Sequence, residues 1–349
     1  MNKITKTAVI LTYPGIGDIV WHLPFFHALA NKSEKKKIYL YTIKTTLAKD
    51  ILKYDNSIAK VFYLNESRKF FNTLLNFPKL IKNFSKEKFS DLWIFHRSPR
   101  YAIAARLSKI QNIYGFGLGA QGIWLTSKKS IGNSSKKKDN IFKAKKFMNI
   151  HGINYKLSPK ISLPNEIIRK NLSKFKNHPK QWISIGFSCN KTAFMSKNIP
   201  YSFYRTWRPE YFSKLIQLIL MKKKRRTIFL IGAPNENILA QSIIKKCSFN
   251  PNILISCSSI IENLSILSNS ECFIGNDSGP LNLAGALGIK SFGLFGASPP
   301  INNVKKIFSI VPPNGPVDPH KYGFNPISLE DGMDLIKPEL VYKIIKKYI

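Results

Sequence analysis

At 349 residues the chain exceeds the usual size of a single hydrophobic core and points to two α/β domains. Its 44% hydrophobic content excludes a disordered chain, and no apolar run reaches the roughly 18 residues needed to cross a bilayer. The net charge of +36, from 55 Lys and Arg against 19 Asp and Glu, leaves two readings open: attraction to a polyanion (an anionic membrane face or a nucleic acid), or a plain lysine-, asparagine- and isoleucine-rich composition.

After Lys3 and Lys6 the apolar run Ala8–Leu11 has the outline of a signal peptide, but Pro14, Gly15, Gly17 and Asp18 interrupt it and no small-residue cleavage pattern follows. The expectation is a buried first strand over Thr7–Thr12 and a cytoplasmic protein. Helical apolar spacing follows over Ile19–Ala30, then strands over Lys37–Ile43 and Ala59–Leu64. An aromatic-rich helix is predicted over Phe70–Phe84, a strand over Leu92–Phe95, a helix over Tyr101–Lys109 and a short strand over Ile113–Phe116. Residues Ser127–Asn140 read as a lysine-rich loop, Phe142–His151 as a helix and Ser158–Asn165 as an extended segment near the domain boundary.

A second α/β series follows. Strands are predicted over Trp182–Gly186, Thr227–Ile231, Ile253–Ser256, Cys272–Gly275 and Ser291–Phe295. Helices are predicted over Pro209–Met221, Ile238–Cys247, Ile260–Ser268 and Gly279–Leu287, with a basic amphipathic helix over Pro338–Ile349. Such alternation predicts mostly parallel sheets covered on both faces, with ligand residues in the loops after the strands. The expected domains are 1–170 and 171–337, with the helix of 338–349 packing back on the N-terminal domain.

The four cysteines show no C-x-x-C spacing and no histidine at ligand spacing, so they read as reduced, mostly buried small hydrophobes. Most histidines read as structural or solvated, while His22 and His96 lie on segments expected to face a ligand. Trp182 and Trp207 read as core.

Two strings carry chemistry. Pro14-Gly15-Ile16-Gly17-Asp18 joins a strand to a helix, where glycines allow a sharp turn and the helix start offers free N–H groups. A carboxylate there is placed to take a proton from a substrate hydroxyl, and equally to cap the helix; the motif alone leaves both roles open. The second string, Gly275-Asn276-Asp277-Ser278-Gly279-Pro280-Leu281-Asn282 and on to Gly288, follows an apolar strand and opens a small-residue helix. Asp, Ser, Gly and Pro at a helix N-terminus make a cradle for an anion or diphosphate.

That second string resembles the donor-binding signature of glycosyltransferase family 9, the family of lipopolysaccharide heptosyltransferases, which reads approximately D-[ST]-G-x-x-H-x-A-A-A-L-G and is followed by L-F-G, here Leu294-Phe295-Gly296. The Gly15–Pro24 string is similar to the family's N-terminal signature. Gly232-Ala233-Pro234-Asn235-Glu236 is similar to its G-x-P-x-E, and Arg205-Thr206-Trp207-Arg208-Pro209 to its K-x-W-P. Asp91–His96, ahead of Ser98 and Arg100, is similar to a further N-domain segment. The resemblance runs from about Ala8 to Ser298.

It implies a GT-B fold: two Rossmann-like domains whose parallel sheets face a central cleft, the acceptor on the N-terminal side and a nucleotide-sugar on the C-terminal side. The implied reaction is a metal-independent, inverting displacement that needs no cofactor beyond the nucleotide-sugar co-substrate, with ADP-heptose the first candidate. By the resemblance Asp18 is the general base. Arg205 replaces the family's phosphate-binding Lys, Glu236 holds the nucleoside, Asp277 contacts the sugar, and Ser278 and Gly279 meet the phosphates. Ser188, Pro280 and Asn282 are counted with the donor side, and Gly17, His22, His96 and Arg100 with the acceptor side. No D-x-D pair of aspartates is present, so no diphosphate–metal clamp is expected and no metal ligands are assigned.

Asn282 stands where the family usually has His, and Cys189–Tyr204 is longer than the family pattern, as an extra loop over the donor site would be. The expected acceptor is a lipopolysaccharide or related cell-surface glycan, reached at the inner face of the cytoplasmic membrane. Two other readings fit the sequence: a GT-B sugar-nucleotide epimerase or hydrolase, and a non-catalytic basic module for a polyanion. Nucleic acid is not expected as a partner, because the charge is diffuse and no recognition motif is present.

Overall fold

The computed structural model describes residues 5–65, 70–189, 205–222, 225–296, 298, 300, 304, 306–313, 315 and 332–349; the side chains of 5, 70–75 and 222 lie outside that description. The expected extra loop of Cys189–Tyr204 falls almost wholly outside the described residues. The chain divides into two compact units, Met1–Lys160 and Ile161–Ile349.

In the first unit the strands are β1 (Thr5–Ile10), β2 (Ser33–Ile43), β3 (Ile58–Leu64), β4 (Asp91–Ile94) and β5 (Asn112–Gly115), and the helices α1 (Ile16–Asn31), α2 (Ala48–Ile51), α3 (Phe70–Glu87), α4 (Arg100–Leu107), α5 (Gln121–Trp124) and α6 (Asn140–Ile150). The sheet order is β3-β2-β1-β4-β5 and every neighbouring pair is parallel. Ala8 to Leu11 are completely buried, as a central strand covered on both faces requires. One core is aromatic: the Tyr41 and Phe62 rings stack at 4.6 Å, and Phe84 meets Tyr41 edge-on at 5.1 Å.

In the second unit the helices are α7 (Asn165–Leu172), α8 (Pro209–Lys222), α9 (Asn237–Lys246), α10 (Ile260–Ser268), α11 (Gly279–Ala286) and α12 (Pro338–Ile345). Its strands are β6 (Gln181–Gly186), β7 (Arg226–Ile231), β8 (Ile253–Ser256), β9 (Cys272–Asn276), β10 (Lys290–Leu294) and β11 (Ile307–Ile310). They run in the order β11-β10-β9-β6-β7-β8, again all parallel.

Two expectations are corrected. The units meet at Lys160 and Ile161 rather than at 170, because α7, where no helix was expected, packs on α10. The C-terminal helix packs on α8, with Val341 and Ile345 in the core of the second unit, so it belongs to that unit. Arg226, at the end of the basic run from Lys222, is buried and pairs with Glu271 at 2.7 Å, because it begins β7 beside the interior. The elements α2, α5, α7 and β11 were not expected from the sequence.

Both sheets reverse their strand order at one place. In the first unit the chain passes from β1 outward through β2 and β3, then returns to place β4 on the other side of β1. In the second it passes from β6 through β7 and β8, then returns to place β9 beside β6. The loops leaving such paired strands diverge and leave a crevice at the carboxyl ends.

Candidate active site

In the first unit the crevice between β1 and β4 receives the loop after β1, which carries Tyr13 to Gly15 into α1. Asp18 occupies the third position of that helix, and its Oδ2 accepts the N–H of Gly15 at 3.0 Å. The capping role is therefore real, but it uses one carboxylate oxygen. Burial raises the Asp18 pKa above the usual carboxylate range, and hydrogen bonds from the Gly15 N–H and the Asn140 side chain at the start of α6 pull it back. A half-buried carboxylate with a raised proton affinity suits a general base better than a fully solvated one.

Tyr13 ties this turn to β4. Its ring lies 5.9 Å from His22 and 6.0 Å from His96, and burial, followed by the nearby Asp18 charge, raises its own pKa. His96 is half-buried just past β4, where its Nδ1 accepts the Ser98 N–H at 3.0 Å. Arg100 opens α4, stacked 4.7 Å over the Tyr101 ring and donating to its hydroxyl at 2.6 Å. Arg100 and Tyr101 also line a cleft of about 190 Å³ with Tyr63, Asn65, Asn76 and Lys79. Asp18, Gly17, His96 and Arg100 thus share the carboxyl ends of β1, β4 and β3.

His22 does not share that surface. It is fully buried among Phe25, Phe26 and Phe95, and its Nδ1 donates to the Asp18 carbonyl at 2.7 Å. That bond leaves Nε2 as a lone-pair acceptor with no partner among the described residues, and burial pushes the ring pKa down to about 4. The expected acceptor contact is corrected: His22 is a neutral ring behind the turn that carries Asp18.

In the second unit the crevice between β6 and β9 is framed by Gly186 and Gly275, which face each other in the sheet register. A Cβ on Gly275 would stand 2.6 Å from the Gly186 carbonyl, so the closeness of these strand ends requires glycine. At the end of β9, Asn276 is fully buried and its Oδ1 accepts the Trp207 N–H at 3.0 Å. Its Nδ2 has no partner among the described residues. Asp277 accepts from Arg205 at 2.9 Å and from Ser298 at 2.7 Å. Arg205 itself adopts a left-handed backbone, φ 58°.

Ser278 is the N-cap of α11, yet its hydroxyl makes no capping bond and is buried without a partner among the described residues. An N-cap serine ordinarily spends its oxygen on the helix N–H groups. Gly279 and Pro280 open the helix. Asn282 is 7% exposed and folds back, Nδ2 donating to the Ser278 carbonyl at 2.8 Å, so one of its two amide hydrogens is already used. Ser188 is buried two residues past β6.

Glu236 lies past β7, where it accepts the Ala233 N–H at 2.7 Å. A Cβ at Gly232 would meet Phe187 at 2.7 Å, Cys257 at 3.1 Å and Glu236 at 3.1 Å, so these groups crowd one strand end. Cys257 is the half-buried exception among cysteines expected to be buried, and burial together with the Glu236 charge raises its thiol pKa to about 11. Arg208 is taken elsewhere, in a two-bond pair with buried Asp334 at 2.7 and 2.6 Å, which leaves Arg205 as the guanidinium at the crevice.

Sequence reasoning missed Tyr13, Asn140, Asn276 and Cys257 as members of these clusters. Asn276 was legible as a neighbour of Asp277, but its orphaned amide depends on the tertiary contact with Trp207. Among the described residues no group of three or more His, Cys, Asp or Glu side chains comes together in a way that fits a metal. No described helix is long and apolar enough to cross a membrane.

Residues 189–305 match glycosyltransferase family 9 (heptosyltransferase). No curated protein matches the sequence. Among solved structures, the Escherichia coli ADP-heptose lipopolysaccharide heptosyltransferase II superposes with a TM-score of 0.73 at 13% identity, over 98% of each chain. A family 9 glycosyl transferase from Veillonella parvula gives 0.75 at 14% identity, over 100% of this chain and 98% of that one. The E. coli heptosyltransferase WaaC, solved with ADP-2-deoxy-2-fluoro heptose, gives 0.69 at 13% identity, over 99% and 100%. At such identities these likenesses concern the fold. The family match is confined to residues 189–305, and over nearly the whole length the chain has the fold of the heptosyltransferases.

Proposed function

We propose that the protein is an inverting, metal-independent glycosyltransferase that moves a sugar, heptose first among candidates, from a nucleoside diphosphate to a hydroxyl of a lipopolysaccharide or related glycan. The observation that carries this reading is the N-terminus of α11. There a guanidinium, two buried polar atoms without partners and the free N–H groups of a helix start converge beside a strand switch point. Orphaned donors at a helix N-terminus are what a diphosphate satisfies.

In this reading the diphosphate lies on Ser278, Gly279 and Pro280. Arg205 leaves or shares Asp277 to meet the charge that develops on the leaving group. Asp277 and Asn282 face the sugar, Glu236 the ribose, and Ser188 the phosphate side of β6. In the first unit Asp18 takes the proton of the acceptor hydroxyl as its oxygen bonds to the anomeric carbon. The bond from that carbon to the phosphate oxygen breaks, and the nucleoside diphosphate departs. His96, Arg100 and the neighbouring cleft hold the acceptor, with Gly17 allowing close approach. The net charge of +36 favours an acceptor borne on an anionic membrane face, approached from the cytoplasmic side.

The test is a donor panel of ADP-heptose, GDP-sugars and UDP-sugars scored by thermal shift, followed by transfer assays of wild type and Asp18→Asn. One donor class should raise the melting temperature of both proteins, and only wild type should glycosylate an acceptor. Transfer by Asp18→Asn at wild-type rate would remove Asp18 from the chemistry. Product formed from nucleotide-sugar without acceptor would make the enzyme an epimerase or hydrolase.

A further inference from the structure

One stretch of the first unit is electrically one-sided. Between Arg97 and Lys138 the chain carries nine Lys and Arg residues and not one Asp or Glu. The same stretch holds three large apolar side chains left in solvent: Leu107 at 60% exposure, Ile123 at 72% and Trp124 at 39%.

A specific contact joins them. Arg106, at the end of α4, donates through Nε to the Trp124 carbonyl at 3.0 Å and through its terminal nitrogen to the Leu125 carbonyl at 3.0 Å. Next to it, Leu107 projects beside a shallow groove that it lines with Phe89, Lys88 and Lys109. The single turn of α5 is held from below, because Leu125 is fully buried and Gln121 donates to the His96 carbonyl at 2.6 Å. Ile123 and Trp124 are therefore displayed on a fixed platform, and Lys128 and Lys129 are exposed just beyond it.

Exposed tryptophan and aliphatic side chains cost solvation unless something covers them. Here the cover must offer negative charge and an apolar layer at once. The interfacial zone of an anionic bilayer offers both: tryptophan sits at the headgroup level, aliphatic tips enter the acyl boundary, and Lys and Arg meet phosphates. A nucleic acid supplies the phosphates but no layer for Leu107 and Ile123.

We propose that the face formed by the end of α4 and by α5 docks the protein on anionic lipid headgroups, with Leu107, Ile123 and Trp124 entering the interface and the surrounding lysines meeting the phosphates. The proposal is independent of the catalytic reading, because binding is scored without turnover. The experiment uses the full chain with vesicles of phosphatidylcholine alone or mixed with phosphatidylglycerol, read by co-sedimentation and by tryptophan emission, with Trp124→Phe identifying the responding residue.

Wild type should bind the mixed vesicles, bind those of phosphatidylcholine alone far less, and show a blue shift that Trp124→Phe lacks. The Ile123→Ser/Trp124→Ser double variant should lose binding about fivefold or more at an unchanged melting temperature. Undiminished binding by the double variant would overturn the proposal and assign attraction to the rest of the charge. So would a change in sedimentation coefficient with vesicle binding intact, which would make the face a contact between protein copies. If the double variant melts lower, Leu107→Ser supplies the same comparison.

Discussion

Asp18 serves two ends that act oppositely on its proton. Burial raises its pKa, while the Gly15 N–H and Asn140 favour the carboxylate. A raised folded-state pKa means that the stabilising contribution is present below the unfolded pKa and is lost as pH rises through the folded one. At pH 7 the ionised group therefore costs stability, and Asp18→Asn, which keeps an oxygen for the Gly15 N–H, should melt at or above the wild-type temperature while losing transfer. Wild-type kcat should fall on the acid side at a pH above that of an ordinary aspartate.

His22 has the reverse sign: its folded pKa, near 4, lies below the unfolded 6.5. The unfolded chain takes up the proton first, so stability should drop by about 3 kcal/mol as pH falls from the unfolded to the folded value, at about 1.4 kcal/mol per pKa unit. Denaturation of wild type and His22→Asn across that range isolates the effect, since the variant should lack this part of the slope. Arg205, 41% exposed on its side chain, is free to exchange Asp277 for a phosphate. Arg205→Ala should weaken donor binding about tenfold to a hundredfold, read by calorimetry, with Arg205→Lys intermediate.

At the scale of elements, the crevice of the second unit depends on how closely β6 and β9 approach. Gly275→Ala would press a methyl against the Gly186 carbonyl and the Phe273 ring, at 2.6 and 2.9 Å. A loss of about 1–3 kcal/mol in chemical denaturation is expected. The turn carrying Arg205 is fastened at its other end by Arg208, whose pair with Asp334 is 35% exposed on the arginine side and 4% on the carboxylate side. Arg208→Ala strands a buried carboxylate and should cost about 3 kcal/mol, near the low end for such pairs because the guanidinium is partly solvated. The long elements were legible in sequence because their apolar periods span whole turns or pleats. The α2 turn, α5 and β11 were not, and their existence rests on contacts from elsewhere in the chain.

Over the whole molecule, +36 charges repel one another at low salt. Raising ionic strength from about 10 mM to about 150 mM shortens the screening length from about 30 to about 8 Å and should raise the melting temperature, while vesicle binding weakens. The amino-acid order alone determined that there would be two parallel α/β units, because buried strands alternating with amphipathic helices have few other ways to cover their apolar faces. It also placed Asp18 and the Asp277–Gly279 turn at strand-to-helix junctions, because glycines and caps are local signals. Only the tertiary structure decided that His22 turns inward, that Arg226 is buried on Glu271, and that Arg208 is spent on Asp334 while Arg205 faces the crevice. Those outcomes depend on which side chains meet across sequence separations of tens of residues, and no local pattern encodes a partner that far away.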